Sequence, residues 1–142
     1  MHIFGGLDTN TDKVEKLYAE HSICKPCPVY KTDIITASMA KYCINSFLAT
    51  KVTFMNEMYD VLNAAKGSDW NTFIKIISND TRIGKSHLKV PGTDGQRGYS
   101  GSCFPKDTNA LAWFAREILN KPFTQLETSI KINDNLRKNI QS

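Results

Sequence analysis

No stretch of the 142-residue chain approaches the roughly 18 consecutive apolar residues of a membrane span, so a membrane-crossing helix is not expected. The start of the chain lacks a cationic segment followed by an apolar run, which argues against a secretory leader. Lysine and arginine never run together with interleaved aromatics, and the net charge is a mild +4, so a nucleic-acid groove is not expected either. No G-x-G-x-x-G follows a strand, which removes the usual cradle for a dinucleotide pyrophosphate. Cys24-Lys25-Pro26-Cys27, with His21 just before it, is a CxxC without a second knuckle. Zinc takes four ligands, usually from two such knuckles, and a redox CxxC wants a thioredoxin-like setting that is also absent. No metal site is therefore expected, and Cys24, Cys27, Cys43 and Cys103 are expected as free thiols in a reducing cytoplasm.

What remains is an ordinary globular composition, 41% hydrophobic and 23% charged, sufficient for one domain with a real core. His2-Ile3-Phe4-Gly5-Gly6 reads as a very short strand. Val14, Leu17 and Tyr18, after the polar run ending at Asp12, predict a short amphipathic helix. Ser22 to Pro28 is a proline-broken loop, and Pro28 to Thr32 a second short strand. From Asp33 neither glycine nor proline occurs until Gly67. Asp33 as N-cap and Lys66-Gly67 as stop predict one helix over 33–66. Ile35, Met39, Phe47, Leu48, Met55 and Leu62 fill more than one stripe of it. Such a helix needs partners on several sides, as the centre of a bundle or as a dimer-forming element. Ser68-Asp69 caps a helix running to about Ile77. Residues 79–106 show no period, and a loop of that length is usually functional or disordered. A helix is predicted from Asp107 until Lys121-Pro122. The last amphipathic helix carries Leu126, Ile130, Ile132, Leu136 and Ile140. The fold class is mainly α.

Among residues able to carry chemistry, Cys103 stands first. It lies between Tyr99-Ser100-Gly101-Ser102 and Phe104-Pro105-Lys106-Asp107, just ahead of a predicted helix start. Unpaired N–H groups, the positive end of the helix and Lys106 all favour the nucleophilic thiolate. Asp107, read as first-turn, is placed to orient a water or accept a proton. An inert cysteine in a turn accounts for the same local context equally well. Lys41 and Asn45, four apart, share a helix face with Asn56, and by themselves read more readily as a solvated stripe. Arg82, in Asp80-Thr81-Arg82-Ile83-Gly84, is an arginine that forks onto a phosphate or carboxylate, or an ordinary surface arginine.

Four stretches in order give these residues a shared context: Ala40 to Lys51 continuing to Met55-Asn56-Glu57, Asp80 to Gly84, Gly98 to Asp107, and the closing helix with Asn133. Together they resemble the UDP-glucose/GDP-mannose dehydrogenase family, and the Cys103 segment is similar to its GGxCFPKD element. The resemblance covers nearly the whole chain. It implies that residues 1–32 are the last strand–helix–strand of an NAD-binding Rossmann domain. Residues 33–142 would be the helical middle domain, of the 6-phosphogluconate-dehydrogenase C-terminal type, through whose long helix the family dimerises. The implied reaction is oxidation of a nucleotide-sugar C6 alcohol to a carboxylate with two NAD. Cys103 would attack the intermediate aldehyde, Lys41 stabilise the oxyanion, Asn45 hold the sugar or a water, and Asp107 assist proton transfer. Arg82 would reach substrate on the other subunit. Lys89, Gly98, Tyr99, Gly101, Ser102 and Lys106 would line the nucleotide-sugar site, with Lys106 also facing the cofactor.

The chain departs from the family pattern at Ser100, where a glycine is usual, at Ser38, where a glutamate is common, and in a long Val90–Arg97 loop. If position 100 needs a positive φ, Ser100 is strained. The dinucleotide fingerprint and the family's Thr and Glu of the first domain are missing. The chain is therefore expected to be a fragment that neither binds NAD nor turns over alone. The competing expectation is a non-catalytic dimerisation module from a split or decayed gene.

Overall fold

His2–Gly5 (β1) and Val29–Thr32 (β2) pair in parallel, with His2 opposite Val29 and Gly5 opposite Thr32. Parallel neighbours need a crossover, and α1 (Asp8–His21) supplies it. Leu7 occupies its N-cap position without a side-chain cap bond, its carbonyl accepting from the Asn10 and Thr11 amides, and the buried Thr11 hydroxyl donates to the Asp8 carbonyl (2.9 Å). The Tyr18 ring meets His2 and Phe4 edge-on, with centroids 5.2 and 5.4 Å away. Lys31 of β2 reaches Asp12 and Glu15 of α1 at 2.7 and 2.8 Å. Gly5 is required by space, because a Cβ there would lie 2.6 Å from Cβ of Ala37. These elements form one compact unit, Met1–Ile44, and Asn45–Ser142 is a second. This computed structural model describes residues 1–138, so Ile140 of the predicted last helix lies outside the described residues.

The long helix α2 runs from Ile34 to Ala64, within two residues of the predicted ends. The Thr36 amide donates to Asp33 Oδ1 (2.8 Å), which is the expected cap. Gly67 stops the chain in the left-handed region (φ +79°). The buried side of α2 is smaller and more polar than its apolar content suggests: Ser46, Ala49, Thr53, Met55 and Asn56. Phe47, Phe54 and Val61 are instead 69, 62 and 62% exposed. Small residues let another helix come close; the buried Ser46 hydroxyl has no hydrogen-bond partner among the described residues, whereas that of Thr53 finds one across the contact. The Thr53 and Ser129 hydroxyls meet at 2.8 Å in the interior.

Asp69 caps α3 (Trp70–Ile77) by accepting from the Thr72 amide at 2.7 Å. The core of this unit gathers Met55, Leu88 and Val90, with Tyr59, Trp70, Phe73, Ile74 and Ile77 packed around them. Leu88 and Val90 come from the aperiodic segment, which is therefore folded into the core and not a free loop. The chain then enters α4 (Cys103–Trp113), a π-helical turn (Phe114–Ile118) and α5 (Thr124–Lys138). The mainly helical architecture with a small α/β start agrees with the sequence. No helix among the described residues is long and apolar enough to cross a membrane.

Candidate functional site

α4 begins at Cys103, not at Asp107 as the sequence suggests. Pro105 misled that reading. The first-turn N–H groups of a helix have no intrahelical acceptor, so a proline there removes nothing. Two placements change as a result. Cys103 is the first residue of the helix instead of preceding it, and Asp107 sits in the second turn instead of the first.

The Cys103 thiol is free and exposed, with the Ser102 hydroxyl 3.8 Å from Sγ. One turn further, Asp107 is fully buried at 0% exposure. Asn45 Nδ2 donates to its Oδ2 (2.5 Å), and Lys106 Nζ to its Oδ1 (2.5 Å). A buried carboxylate is tolerated only with such donors. The structure thus joins Asn45 to Asp107 and gives Lys106 a partner on its own helix.

Tyr99 is buried, its ring edge-on to Phe104 at 5.9 Å, and burial pushes its hydroxyl pKa up. Gly98 and Gly101 have φ of +75 and +81°. A Cβ on Gly98 would stand 2.6 Å from Asn133 Oδ1, whereas Gly101 faces open space. Ser100 is not strained: His87 and Asn120 are the non-glycine residues with positive φ among those described. Its hydroxyl donates to Asp94 Oδ2 (2.9 Å). Exposed Lys89 stands between buried Leu88 and Val90, so it points outward.

Arg82 lies apart from this cluster in its bonding. Its side chain is 88% exposed and forks onto Asp80, with Nε to Oδ1 at 3.0 Å and Nη2 to Oδ2 at 2.6 Å. That guanidinium holds the Asp80 carboxyl below its usual range. Lys41 belongs to the first unit, where Nζ sits 5.4 Å from the Tyr42 ring centroid. Cys24 and Cys27, also there, line a cavity of about 260 Å³ with His2, Phe4 and Tyr18. No group of three or more His, Cys, Asp or Glu side chains among the described residues is placed to hold a metal.

Sequence reasoning missed the tethers of the Cys103 loop. Arg97 donates to the Asn56 carbonyl (2.7 Å) and to Asp60 Oδ2 (2.7 Å) on α2. The Gly98 amide reaches Asn56 Oδ1 (3.2 Å), and the Tyr99 amide reaches Asn133 Oδ1 (2.7 Å). Arg137 of α5 grips Asp94 Oδ2, Gln96 Oε1 and the Gly98 carbonyl at 2.8, 2.7 and 3.2 Å. The buried polar positions Asn56 and Asn133 were the available signal.

The β1–α1 turn offers no cradle for a dinucleotide pyrophosphate. Gly5 there is closed by Ala37. Asp8 occupies the first turn of α1, where a pyrophosphate would need positive charge.

The pattern of the UDP-glucose/GDP-mannose dehydrogenase family, central domain, matches residues 35–135. UDP-glucose 6-dehydrogenase YwqF of Bacillus subtilis is 39% identical over 134 residues, covering 94% of this chain and 28% of the relative. A UDP-glucose 6-dehydrogenase of Rhizobium meliloti is 35% identical over 128 residues, 90% of this chain and 26% of its own length. Among solved structures, a UDP-glucose dehydrogenase from the archaeon Pyrobaculum islandicum superposes with a TM-score of 0.74 at 27% identity, over 94% of this chain and 28% of that one. The chain thus spans little more than a quarter of the relatives it matches.

Proposed function

Since the chain belongs to the UDP-glucose/GDP-mannose dehydrogenase family, we propose that it is the central helical part of a nucleotide-sugar 6-dehydrogenase. It would carry the covalent step and not hydride transfer. One observation carries this reading: an exposed thiol, Cys103, opens α4 one turn before a buried carboxylate, Asp107, that Asn45 holds in place.

At this site Cys103 Sγ adds to the C6 carbon of an aldehyde. The carbonyl oxygen takes the negative charge, which the first-turn amides of α4 stabilise; the family resemblance gives Lys41 the same role. Loss of hydride from the thiohemiacetal carbon, to an acceptor held outside these residues, would leave a thioester; water then adds to its carbon, the C–S bond breaks, and carboxylate and free thiol result. Asp107, with Asn45, orients that water and takes its proton. NAD is the hydride acceptor the family implies, and the β1–α1 turn offers its pyrophosphate no cradle. Arg82 exchanges Asp80 for the substrate of the other subunit. Lys89, Gly98, Tyr99, Gly101, Ser102 and Lys106 line the nucleotide-sugar path.

The proposed partner is a second copy. Phe47, Phe54 and Val61 are exposed at seven-residue spacing on α2, a seam suited to a facing helix. The same seam favours the second reading, a dimerisation module with an inert thiol. Free cysteines suit a reducing, cytoplasmic setting.

The test is a chimera of the B. subtilis enzyme with this chain in place of its matching segment. Oxidation of UDP-glucose should appear and fall about a thousandfold or more in Cys103→Ser. A folded chimera that turns over equally well as Cys103→Ser leaves the module reading. The chain alone should give no NAD reduction.

A further inference from the structure

Resting on Cys103 as the nucleophile, we propose that Asp94, Ser100 and Arg137 form a clamp that positions Cys103, with the Asp94 carboxylate as its node. One oxygen, Oδ2, accepts from both the Ser100 hydroxyl (2.9 Å) and Arg137 Nη1 (2.8 Å). The other, Oδ1, accepts from the Gln96 amide (3.1 Å). The Gly92 amide closes the turn onto the Gln96 carbonyl at 2.7 Å. Arg137 holds the same turn through Gln96 Oε1 and the Gly98 carbonyl.

The clamp acts at the entrance to α4. Ser102 makes no side-chain cap bond, and Gly101 is a left-handed residue facing open space. The last side-chain tether to a distant part of the loop before Cys103 is therefore the Ser100 hydroxyl on Asp94. Upstream, the Gly98 and Tyr99 amides are held by Asn56 and Asn133. The angle at which the chain enters α4, and so the direction of the thiol, is set between these two attachments. Holding up the fold is not the main role of such a pair. Asp94 and Arg137 side chains are 39 and 20% exposed, and an ion pair open to solvent on its carboxylate side adds little to global stability. Arg137 also keeps a buried Nε without a partner, so its guanidinium is aimed at the turn at its own cost. Hydrogen bonds from Gln96, Arg137 and Ser100 hold the Asp94 carboxyl down to about 2, so the node stays ionised under all ordinary conditions. Ser100, where the resemblance implies a glycine, thereby has a bond to Asp94 that a glycine could not make.

Alkylation of the whole chain by iodoacetamide, resolved cysteine by cysteine by mass spectrometry, tests the clamp. Cys24, Cys27 and Cys43 serve as internal references. In Asp94→Ala, Cys103 should react about fivefold more slowly while the references keep their rates. Amide hydrogen exchange at 98–102 should speed up about tenfold. Ser100→Ala should show the same pattern at about twofold, and Arg137→Lys should fall between wild type and Asp94→Ala. If Asp94→Ala does not fold, Ser100→Ala decides. An unchanged or faster Cys103, or all four cysteines shifting together in Ser100→Ala, overturns the clamp. The nucleophile reading fails on different data: a Cys103→Ser chimera with full turnover, whatever the alkylation rates show.

Discussion

The loop at 22–28 carries a cysteine pair and the segment 79–102 leads into Cys103, yet the two are held in different ways. In the first, the Cys24 amide bonds the Ser22 hydroxyl two residues away, and the carbonyl of the loop's last residue, Pro28, accepts from the His2 amide (2.9 Å). In the second, tethers run from residues 94–100 to α2 and α5 across 34 to 43 positions. The CxxC has a familiar spacing and little to fix it. The Cys103 loop has no period and is fixed from both sides. Long-range polar attachment, with its large cost in chain entropy, marks the segment whose exact shape matters.

The comparison breaks most readily at Gly98. Gly98→Ala puts a methyl against Asn133 Oδ1 and forces a side chain into φ +75°. Strain and overpacking together should cost about 2–4 kcal/mol, read as a drop in the urea midpoint. A variant as stable as wild type would mean the loop yields without cost.

His87 sharpens the comparison through pH. Its φ is +60°, and burial, then the charge of Lys51, holds its imidazole below the ordinary 6.5. A depressed folded pKa means that the unfolded chain takes the proton first. Stability is undiminished above 6.5 and declines as pH falls from there through the folded value. His87→Asn, which tolerates the same backbone, should flatten that slope in midpoints taken at several pH values. An unaltered slope would assign the pH response to other groups.

The smallest effect is expected in the CxxC loop. Cys24→Ser with Cys27→Ser should shift stability by no more than about 0.5 kcal/mol. It should leave Cys103 alkylation alone. A larger loss would show the CxxC loop to be held by more than its visible bonds.

Much of the framework was legible because it depends on near neighbours. Asp33 and Asp69 are caps that bond three residues ahead, and Gly67 is a stop wherever a helix must turn left-handed. The start of α4 was misread because Pro105 signals a break in sequence but is neutral in a first turn. The π-helical turn at Phe114–Ile118 left no sequence signal. The site was legible in part. Cys103, Asn45 and Asp107 were named as candidates, but the bond between Asn45 and Asp107 was not foreseen. Arg97 and Arg137 looked like any surface arginine, since their acceptors lie far away in sequence and only folding brings them near.

Ser100 bears on how such chains are told apart. The usual pattern writes two adjacent glycines before the cysteine, as though both were obligatory. Here the second, Gly101, has the left-handed backbone, and position 100 does not. Glycine and serine codons can differ by a single base, so drift from one to the other at 100 meets no backbone barrier. The hydroxyl it brings then has an acceptor waiting at Asp94. A search that insists on both glycines would discard this lineage, while one that insists only on the second would keep it.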